Sequence, residues 1–405
     1  MSNQPRFLQI HTLTSYPAAL LNRDDAGLAK RVPYGGVVRT RISSQSLKRH
    51  WRTARDSEWS FKQTGAPLSV RSRMIVEAAV LPRLREIAPG VDPTIIEAAG
   101  RALSLALYSE KAADPSKRQA LLLGWREVEA LAEQLRPVVL EATTADDAEK
   151  AAAELYKDKA AKKVLSAVRE QAGALAAGLE SALFGRMVTS DPAANTDAAI
   201  HVAHAFTVHQ QETETDYFTV VDDLKDGGDD AGAAGVFDAE LTSGLYYSYV
   251  VVDVPLLVAN LSGVAPGQWQ DATVDRALAA TVVEHLIHLI ATVTPGAKKG
   301  STAPYAHAAL TLVEAGSRQP RSLAAAFEAP VHTVRNSSYT REAERTIFDY
   351  IARHDSVYGG HEVRRAASIW GGVPDTIASM SLDDVAAWAA ACVGAAEVKD
   401  SAAGA

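Results

Sequence analysis

Hydrophobic and polar positions repeat with two different periods along the chain, and each change of period marks a new region. The apolar run 7–13 and the alternating segments 198–209 and 244–252 predict β-strands, because alternation places every second side chain on one face. Between them, 61–185 is rich in Ala, Leu, Glu and Lys, which predicts several helices. Other patterns predict helices over 44–55, 145–184, 271–293, 339–353 and 381–392, a strand over 305–314, an irregular loop over 15–40 and a mobile acidic loop over 222–243.

The order of these elements predicts an α+β fold. Strands and helices are segregated here, with one large helical block followed by strands and helices in the C-terminal half. The helical block 61–185 separates the first predicted strand from the second. We therefore expect it to be an insertion into a sheet domain.

The predicted helix 44–55 carries the strongest functional signal. Ser43 or Ser44 can cap its N-terminus, and Leu47 and Trp51 fall on one buried face. Because a helix N-terminus attracts phosphate through its free N–H groups and its dipole, cations beside it favour a polyanionic partner. An ordinary solvated basic face is the alternative interpretation. The neighbouring face carries Gln45, Lys48, Arg49, Arg52 and Arg55.

The charge distribution supports a polyanionic partner. From Arg23 to Arg73 the chain has twelve Lys or Arg and four acidic residues, a local net charge of +8. The whole chain has a net charge of −8. A local basic segment in an acidic protein favours one specific partner over general adhesion to anions.

Length and composition limit the class of protein. The 405 residues allow two or three domains, and 47% hydrophobic with 22% charged residues is typical of a globular protein. The single cysteine, Cys392, excludes an internal disulfide framework and a multi-cysteine metal site. No signal-peptide pattern or bilayer-length apolar run is present, so we expect a cytoplasmic protein with no membrane partner.

Signatures of catalysis and of cofactors are weak. The chain has no GxSxG, GxxxxGK[ST] or GxGxxG motif. Asp24-Asp25 and Asp222-Asp223 could hold Mg²⁺, but adjacent acids on loops are usually solvated. We therefore expect no catalytic residue, no metal and no cofactor. The histidines, which are better explained as structural than as metal ligands, are His201, His204, His209, His285 and His288.

Three further segments could contact nucleic acid. Tyr217 and Phe218 precede the acidic loop and could stack on splayed bases. Met187 could wedge against a base or fill a core. Lys298 and Lys299 lie on a Gly-flanked loop and could contact phosphate or form an ordinary charged turn.

Taken together, these motifs resemble one known family. The segments LNRDD (21–25), RTRISSQSLKR (39–49), GRMVTS (185–190), HVAHAFTVHQ (201–210), DYFTVVDDL (216–224), LTSGLYYSY (241–249) and PGAKK (295–299) follow in this order. The chain is therefore similar, from about residue 8 to residue 300, to the CasC-type backbone subunit of the type I-E Cascade surveillance complex of CRISPR systems.

The resemblance implies an RRM-like (ferredoxin-like) palm, a helical fingers insertion and a projecting β-hairpin thumb. Several copies would form a helical homo-oligomer, expected to be a hexamer, along one CRISPR RNA. They would present this guide for pairing with target DNA, beside the Cascade subunits CasA, CasB, CasD and CasE. The implied domains are 1–60, palm with the basic helix; 61–185, fingers; 186–243, palm strand and thumb; 244–396, remainder of the palm; and 397–405, a disordered tail.

The resemblance also implies a role for individual residues. The set expected on the guide backbone is Arg23, Ser43, Gln45, Lys48, Arg49, Arg52, Lys298 and Lys299. Met187 and Phe218 would lie against bases, with Tyr217 and Thr219 beside them. The expected function is a non-enzymatic RNA-binding scaffold. The alternatives are a metal-dependent ribonuclease, with Asp24 or Asp25 at its centre, and a basic protein–protein adaptor; a local salt bridge of Arg23 would explain both acids more simply.

Overall fold

A computed structural model describes residues 4–157, 164–173, 175–220, 235–333 and 337–394. The described chain divides into two compact units, each built from separate stretches of sequence. The first contains Met1–Ser60, Val202–Val252 and Ala280–Ala405, and the second contains Phe61–His201 and Asp253–Ala279. The division into palm, fingers and thumb stays a prediction; the units share its boundary between Ser60 and Phe61.

Strands and helices both contribute extensively to the described chain. The strands are β1 (Phe7–Ala19), β2 (Arg31–Tyr34), β3 (Val37–Ile42), β4 (Ser69–Ser72), β5 (Leu121–Gly124), β6 (Ile200–Val202), β7 (Ala205–Thr207), β8 (Glu212–Val220), β9 (Gly235–Asp253), β10 (Leu310–Gly316), β11 (Val363–Ser368) and β12 (Ala378–Ser379). The helices are α1 (Ser44–Arg52), α2 (Leu81–Ile87), α3 (Pro93–Tyr108), α4 (Trp125–Glu141), α5 (Ala145–Leu155), α6 (Val164–Ala172), α7 (Leu179–Phe184), α8 (Val254–Ser262), α9 (Ala277–Thr292), α10 (Lys299–Thr302), α11 (Tyr339–Tyr358) and α12 (Leu382–Gly394).

A large sheet organises the first unit. Its strand order is β12-β11-β10-β1-β9-β7-β3-β2, and β8 also pairs with β9. β1 and β10 are antiparallel, from Phe7 opposite Gly316 to Leu13 opposite Leu310. Apolar residues of the sheet pack with Phe327 and with Ile347 of α11 in one buried cluster. The mixed helix-and-sheet class is thus confirmed, and the apolar runs 7–13 and 244–252 are strands.

The predicted loop 15–40 is wrong in part, because it contains the β2–β3 hairpin. Gly35 and Gly36 form its two-residue turn with φ values of 62° and 77°. Two consecutive positive φ values suit the tight turn that matches the twist of paired strands. The acidic loop is also shorter than predicted, because 235–243 belongs to β9 and pairs with β8. The remainder of that loop and the tail 397–405 lie outside the described residues.

The second unit contains the predicted helical block. Its core is apolar and includes Leu84, Leu103 and Leu131. The single long helix predicted over 145–184 is wrong, because this stretch forms α5, α6 and α7. Leu175 has a φ of 59°, which no right-handed helix accommodates.

The predicted ends of that helical stretch are confirmed. The side chain of Thr144 accepts a hydrogen bond from the Asp147 N–H at 3.2 Å, which caps α5. Gly185, with a φ of 79°, ends α7. In the part of the chain that the structure describes, no helix is both long enough and apolar enough to cross a bilayer.

Candidate nucleic-acid interface

Helix α1 begins at Ser44, where the sequence predicts it, and Ser43 is its N-cap. The Ser43 hydroxyl accepts a hydrogen bond from the Ser46 N–H at 3.3 Å, while Leu47 and Trp51 are buried beneath the helix. Because Ser43 is itself buried, this hydroxyl serves the helix as a cap. Among the other predicted contacts on α1, Gln45 and Arg49 are exposed, and Lys48 and Arg52 are half-buried.

Cations from three segments act on the histidine at the N-terminus of α1. The Ser44 N–H donates to Nδ1 of His204 at 3.0 Å. Burial lowers the pKa of His204, and the positive charges of Arg41, Lys30 and Lys48 lower it further. His204 therefore lies within the field of three cations from three separate segments. Arg41 and Lys30 belong to the basic segment of the sequence, but no sequence motif assigned them to a site.

Asp24 organises the loop that precedes β2. One of its carboxylate oxygens accepts hydrogen bonds from the N–H groups of Ala26 at 2.9 Å and Leu28 at 3.0 Å. Arg23 is exposed and forms an isolated β-bridge with Ala29. Within the described chain no ion pair joins Arg23 to Asp24 or its neighbour, so the predicted local salt bridge is wrong. Backbone N–H groups satisfy Asp24 instead.

Asn22 ties this loop to α1. Its side-chain oxygen accepts a hydrogen bond from the Ser43 N–H at 2.9 Å, and its carbonyl oxygen accepts one from the Lys30 N–H at 2.9 Å. The buried Glu240 of β9 accepts a hydrogen bond from the Ala29 N–H at 2.7 Å and forms an ion pair with Arg31. The loop, α1 and β9 are thus held in one arrangement.

The β8–β9 hairpin presents aromatic side chains. Phe218 lies opposite Phe237 across the two strands, and their rings stack with centroids 5.7 Å apart. Phe218 is 40% exposed, and Tyr217 and Thr219 are exposed beside it. The alternative that Phe218 is an ordinary core residue does not fit this exposure. Phe237 was missed because its role depends on the register between β8 and β9.

The segment after α9 contacts both the β8–β9 hairpin and α1. Nζ of Lys298 lies 5.8 Å from the centroid of the Phe218 ring. The Gly296 N–H points to Nε2 of His50 in α1 at 3.4 Å. Burial lowers the pKa of His50, and the positive charges of Lys299 and Arg49 contribute to the shift. The structure therefore brings both predicted lysines together with the predicted residues of α1 and the hairpin.

Met187 belongs to the second unit. Its side chain is 68% exposed, so the alternative of a core-filling methionine is wrong. The neighbouring Arg186 is buried and forms an ion pair with Glu127 at 2.7 Å, which anchors the Met187 backbone. An exposed, flexible apolar side chain on an anchored backbone is suited to contact a flat apolar surface.

Groups suited to catalysis are sparse. In the described residues, no cluster of three or more His, Cys, Asp or Glu side chains could hold a metal ion. Cys392 is buried, and burial raises the pKa of its thiol to about 12. Two of the histidines considered as metal ligands make hydrogen bonds within the fold: Nε2 of His209 accepts from the Leu245 N–H, and Nδ1 of His285 contacts the carbonyl oxygen of Trp59.

Comparison with known proteins identifies the class. One similar solved chain belongs to a "CRISPR RNA-guided surveillance complex, pre-nicking", with 26% identity and a TM-score of 0.73 over 95% of this chain and 100% of that chain. A second belongs to a "CRISPR RNA-guided surveillance complex", with 25% identity and a TM-score of 0.65 over 95% and 99%. The chain itself belongs to the CT1975-like protein family, whose sequence model matches residues 8–388. No curated protein matches it.

These matches support the resemblance drawn from the motifs at the level of a Cascade-type subunit. They extend it beyond residue 300, where the motifs ended, to nearly the whole chain. The type I-E assignment, the CasC-type identity and the individual RNA contacts stay predictions.

Proposed function

We propose that this protein is a non-enzymatic, CRISPR RNA-binding backbone subunit of a type I-E Cascade effector. Copies of it would polymerise along the guide as a helical homo-oligomer, a hexamer, and present the guide for pairing with target DNA in antiviral defence. CasA, CasB, CasD and CasE would complete the complex. The observation that carries this proposal is the grouping of cations and exposed aromatic rings in the first unit.

The arrangement of charge favours a nucleic-acid backbone as the ligand. The positive charges of Lys30, Arg41 and Lys48 act on His204 beside the N-terminus of α1, and those of Lys299 and Arg49 act on His50. Grouped cations neutralise phosphates without reading base edges. Phe218 and Phe237 add an aromatic surface of the kind that binds bases regardless of sequence.

The strand order supports an RRM-like palm. In a β-α-β-β-α-β fold of this kind, the first strand lies between the third and the last, and a helix follows the first and the third strand. Here β1 lies between β9 and β10, and β9 is flanked on its other side by β7. Helix α1 follows β1 in the chain, and α9 lies between β9 and β10. The central strands thus have the order that the proposed palm requires.

The contacts of Asp24 favour a scaffold over a ribonuclease. One of its oxygens is already engaged by two backbone N–H groups, and these contacts explain the acidic residue without a metal ion. A ribonuclease centre would require this side chain to bind metal or activate water.

Co-expression with a CRISPR array and the other Cascade subunits tests the proposal. The purified complex should contain a discrete small RNA and several copies of this chain for each RNA. A Lys30→Ala, Arg41→Ala, Lys48→Ala variant should lose that RNA, whereas the matched control Lys150→Ala, in the second unit, should retain it. A complex that forms without RNA, or retention of RNA by the triple variant, would contradict the proposal.

A further inference from the structure

Tyr305 is the most exposed large apolar side chain among the residues that the structure describes, at 74%. It follows the short helix α10, which Lys299 begins and Lys298 precedes, yet no motif in the sequence singled it out. Nζ of Lys299 lies 6.0 Å from the centroid of the Tyr305 ring. Two consecutive lysines therefore each lie near an exposed aromatic ring, Lys298 near Phe218 and Lys299 near Tyr305.

The loop that carries Tyr305 is pinned at both ends. The hydroxyl of the buried Thr294 accepts a hydrogen bond from the Ala306 N–H at 3.2 Å and donates one to the Ala306 carbonyl oxygen at 3.3 Å. Along the loop, the Ala297 N–H donates to the carbonyl oxygen of Leu20 at 2.9 Å. Tyr305, which precedes Ala306, is therefore held close to Thr294.

The backbone before Tyr305 is strained. Ala303 ends α10 with a φ of 39°, in the left-handed region that a residue with a Cβ rarely adopts. Its carbonyl oxygen accepts a hydrogen bond from the Tyr305 N–H at 2.7 Å, and Pro304 between them restricts the chain further. A strained turn that holds an aromatic ring in solvent is typical of a ligand-binding loop.

We propose that Tyr305 is a base-stacking residue. Its ring stacks on one nucleobase of single-stranded RNA, and Lys299 neutralises a phosphate beside that base. The inference rests on the proposed function and adds a second stacking position to the one at Phe218. The charge of the surroundings favours RNA over a protein partner, because within the described chain neither Lys298 nor Lys299 forms an ion pair with a carboxylate. An exposed ring beside a cation that has no carboxylate partner suits an anionic ligand with a flat π-face.

Photochemical cross-linking to single-stranded RNA that contains 5-iodouridine tests this inference on the full-length protein. A stacked base should cross-link to Tyr305, and mass spectrometry of the digested protein identifies the site. Tyr305→Ala should weaken RNA binding roughly five- to 150-fold, the range expected for the loss of one base–aromatic stack. Tyr305→Phe should retain affinity within about twofold, because it keeps the ring. The matched control is Tyr358→Ala, which removes a tyrosine that is 65% exposed on α11.

The outcomes separate this inference from the proposed function. If RNA binds and Phe218→Ala weakens it, but Tyr305→Ala binds normally and no cross-link forms at Tyr305, the inference fails and the proposed function stands. If the wild-type protein binds no RNA, both fail. If Tyr305→Ala retains RNA but loses self-association, Tyr305 belongs to an interface between copies and the inference is overturned. Because Tyr305 is exposed, thermal melts of its variants should match that of the wild type.

Discussion

Replacing Phe218 with alanine distinguishes a base contact from a core contact. The Phe218 ring stacks on Phe237 and lies near Lys298, and 40% of the side chain is exposed. The substitution removes one cross-strand aromatic pair and leaves every charge in place. We therefore expect the protein to stay folded and to bind RNA more weakly, with an unchanged dependence of the binding on salt.

The magnitudes follow from these contacts. Loss of one aromatic pair costs about 0.5–1.5 kcal/mol, whereas a phenylalanine deleted from a packed core costs about 3–5 kcal/mol. A loss of 1 kcal/mol lowers the melting temperature by about 2–4 °C in a domain of this size class. Loss of one base stack should weaken RNA binding by about 1–3 kcal/mol. At the centres of these ranges, the binding defect of about 2 kcal/mol exceeds the folding defect of about 1 kcal/mol.

Thermal melts combined with RNA footprinting on the assembled complex measure both effects. Phe237→Ala is the comparison variant, because it removes the same ring pair while keeping the Phe218 ring, and so separates the contribution of each ring to RNA binding. Phe327→Ala, which deletes a fully buried ring, shows the result of core damage. If Phe218→Ala melts as early as Phe327→Ala, or if the footprint of the guide is unaltered, the assignment of Phe218 to base contact is refuted.

Three further predictions concern charge and protonation. Lys48→Ala should weaken binding to every RNA sequence and flatten the slope of log K against log salt by about 0.7, the value for one phosphate contact on a single strand; a defect limited to certain sequences would contradict this role. Asp24→Asn should keep RNA binding, because an amide oxygen can accept the same two N–H groups, whereas Asp24→Ala should weaken it; Mg²⁺-dependent RNA cleavage that both variants abolish would instead support the ribonuclease. Burial lowers the pKa of His11 from its ordinary 6.5, and the hydrogen bond to Glu314 opposes this shift only in part. As the pH decreases, the unfolded chain therefore binds a proton at His11 before the folded chain does. The free energy of unfolding should then fall below about pH 6.5. Urea titrations at pH 7.5 and 5.5 measure this fall, and an equal slope in His11→Gln would contradict the assignment to His11.

Local patterns in the sequence predicted the elements whose determinants are local. Helix α1 begins where Ser43 can cap it, and α5 begins where Thr144 can cap it. The failures arose where distant segments decide the structure. The stretch 235–243 is polar and acidic enough to suggest a loop, but it becomes a strand because β8 pairs with it. Leucines at helical spacing suggested one helix through Leu175, whose backbone instead turns into the left-handed region.

The candidate site was predicted only in part, because its residues come from distant segments of the chain. Lys48, Phe218 and Lys298 belong to recognisable motifs, but their grouping depends on tertiary contacts. Counting charges also overstated the accessible basic surface, because Arg39 is fully buried. Its guanidinium donates to backbone carbonyl oxygens, including those of Thr207 at 3.0 Å and Phe327 at 3.1 Å. Composition cannot distinguish such an internal brace from a cation that faces solvent.

The length of β9 has a mechanical consequence. This strand continues without a break for 19 residues, from the hairpin that bears Phe237 to the sheet core at Val252. Its one interior glycine, Gly244, is closely packed, since a Cβ there would lie 2.5 Å from a methyl carbon of Thr207. Among the described residues, the hairpin strand β9 is therefore a direct continuation of the sheet, and its interior glycine is too closely packed to act as a hinge. A force that displaces the part of β9 beyond the sheet core must therefore also bend a central strand of the sheet, so its resistance to bending depends on the sheet as a whole.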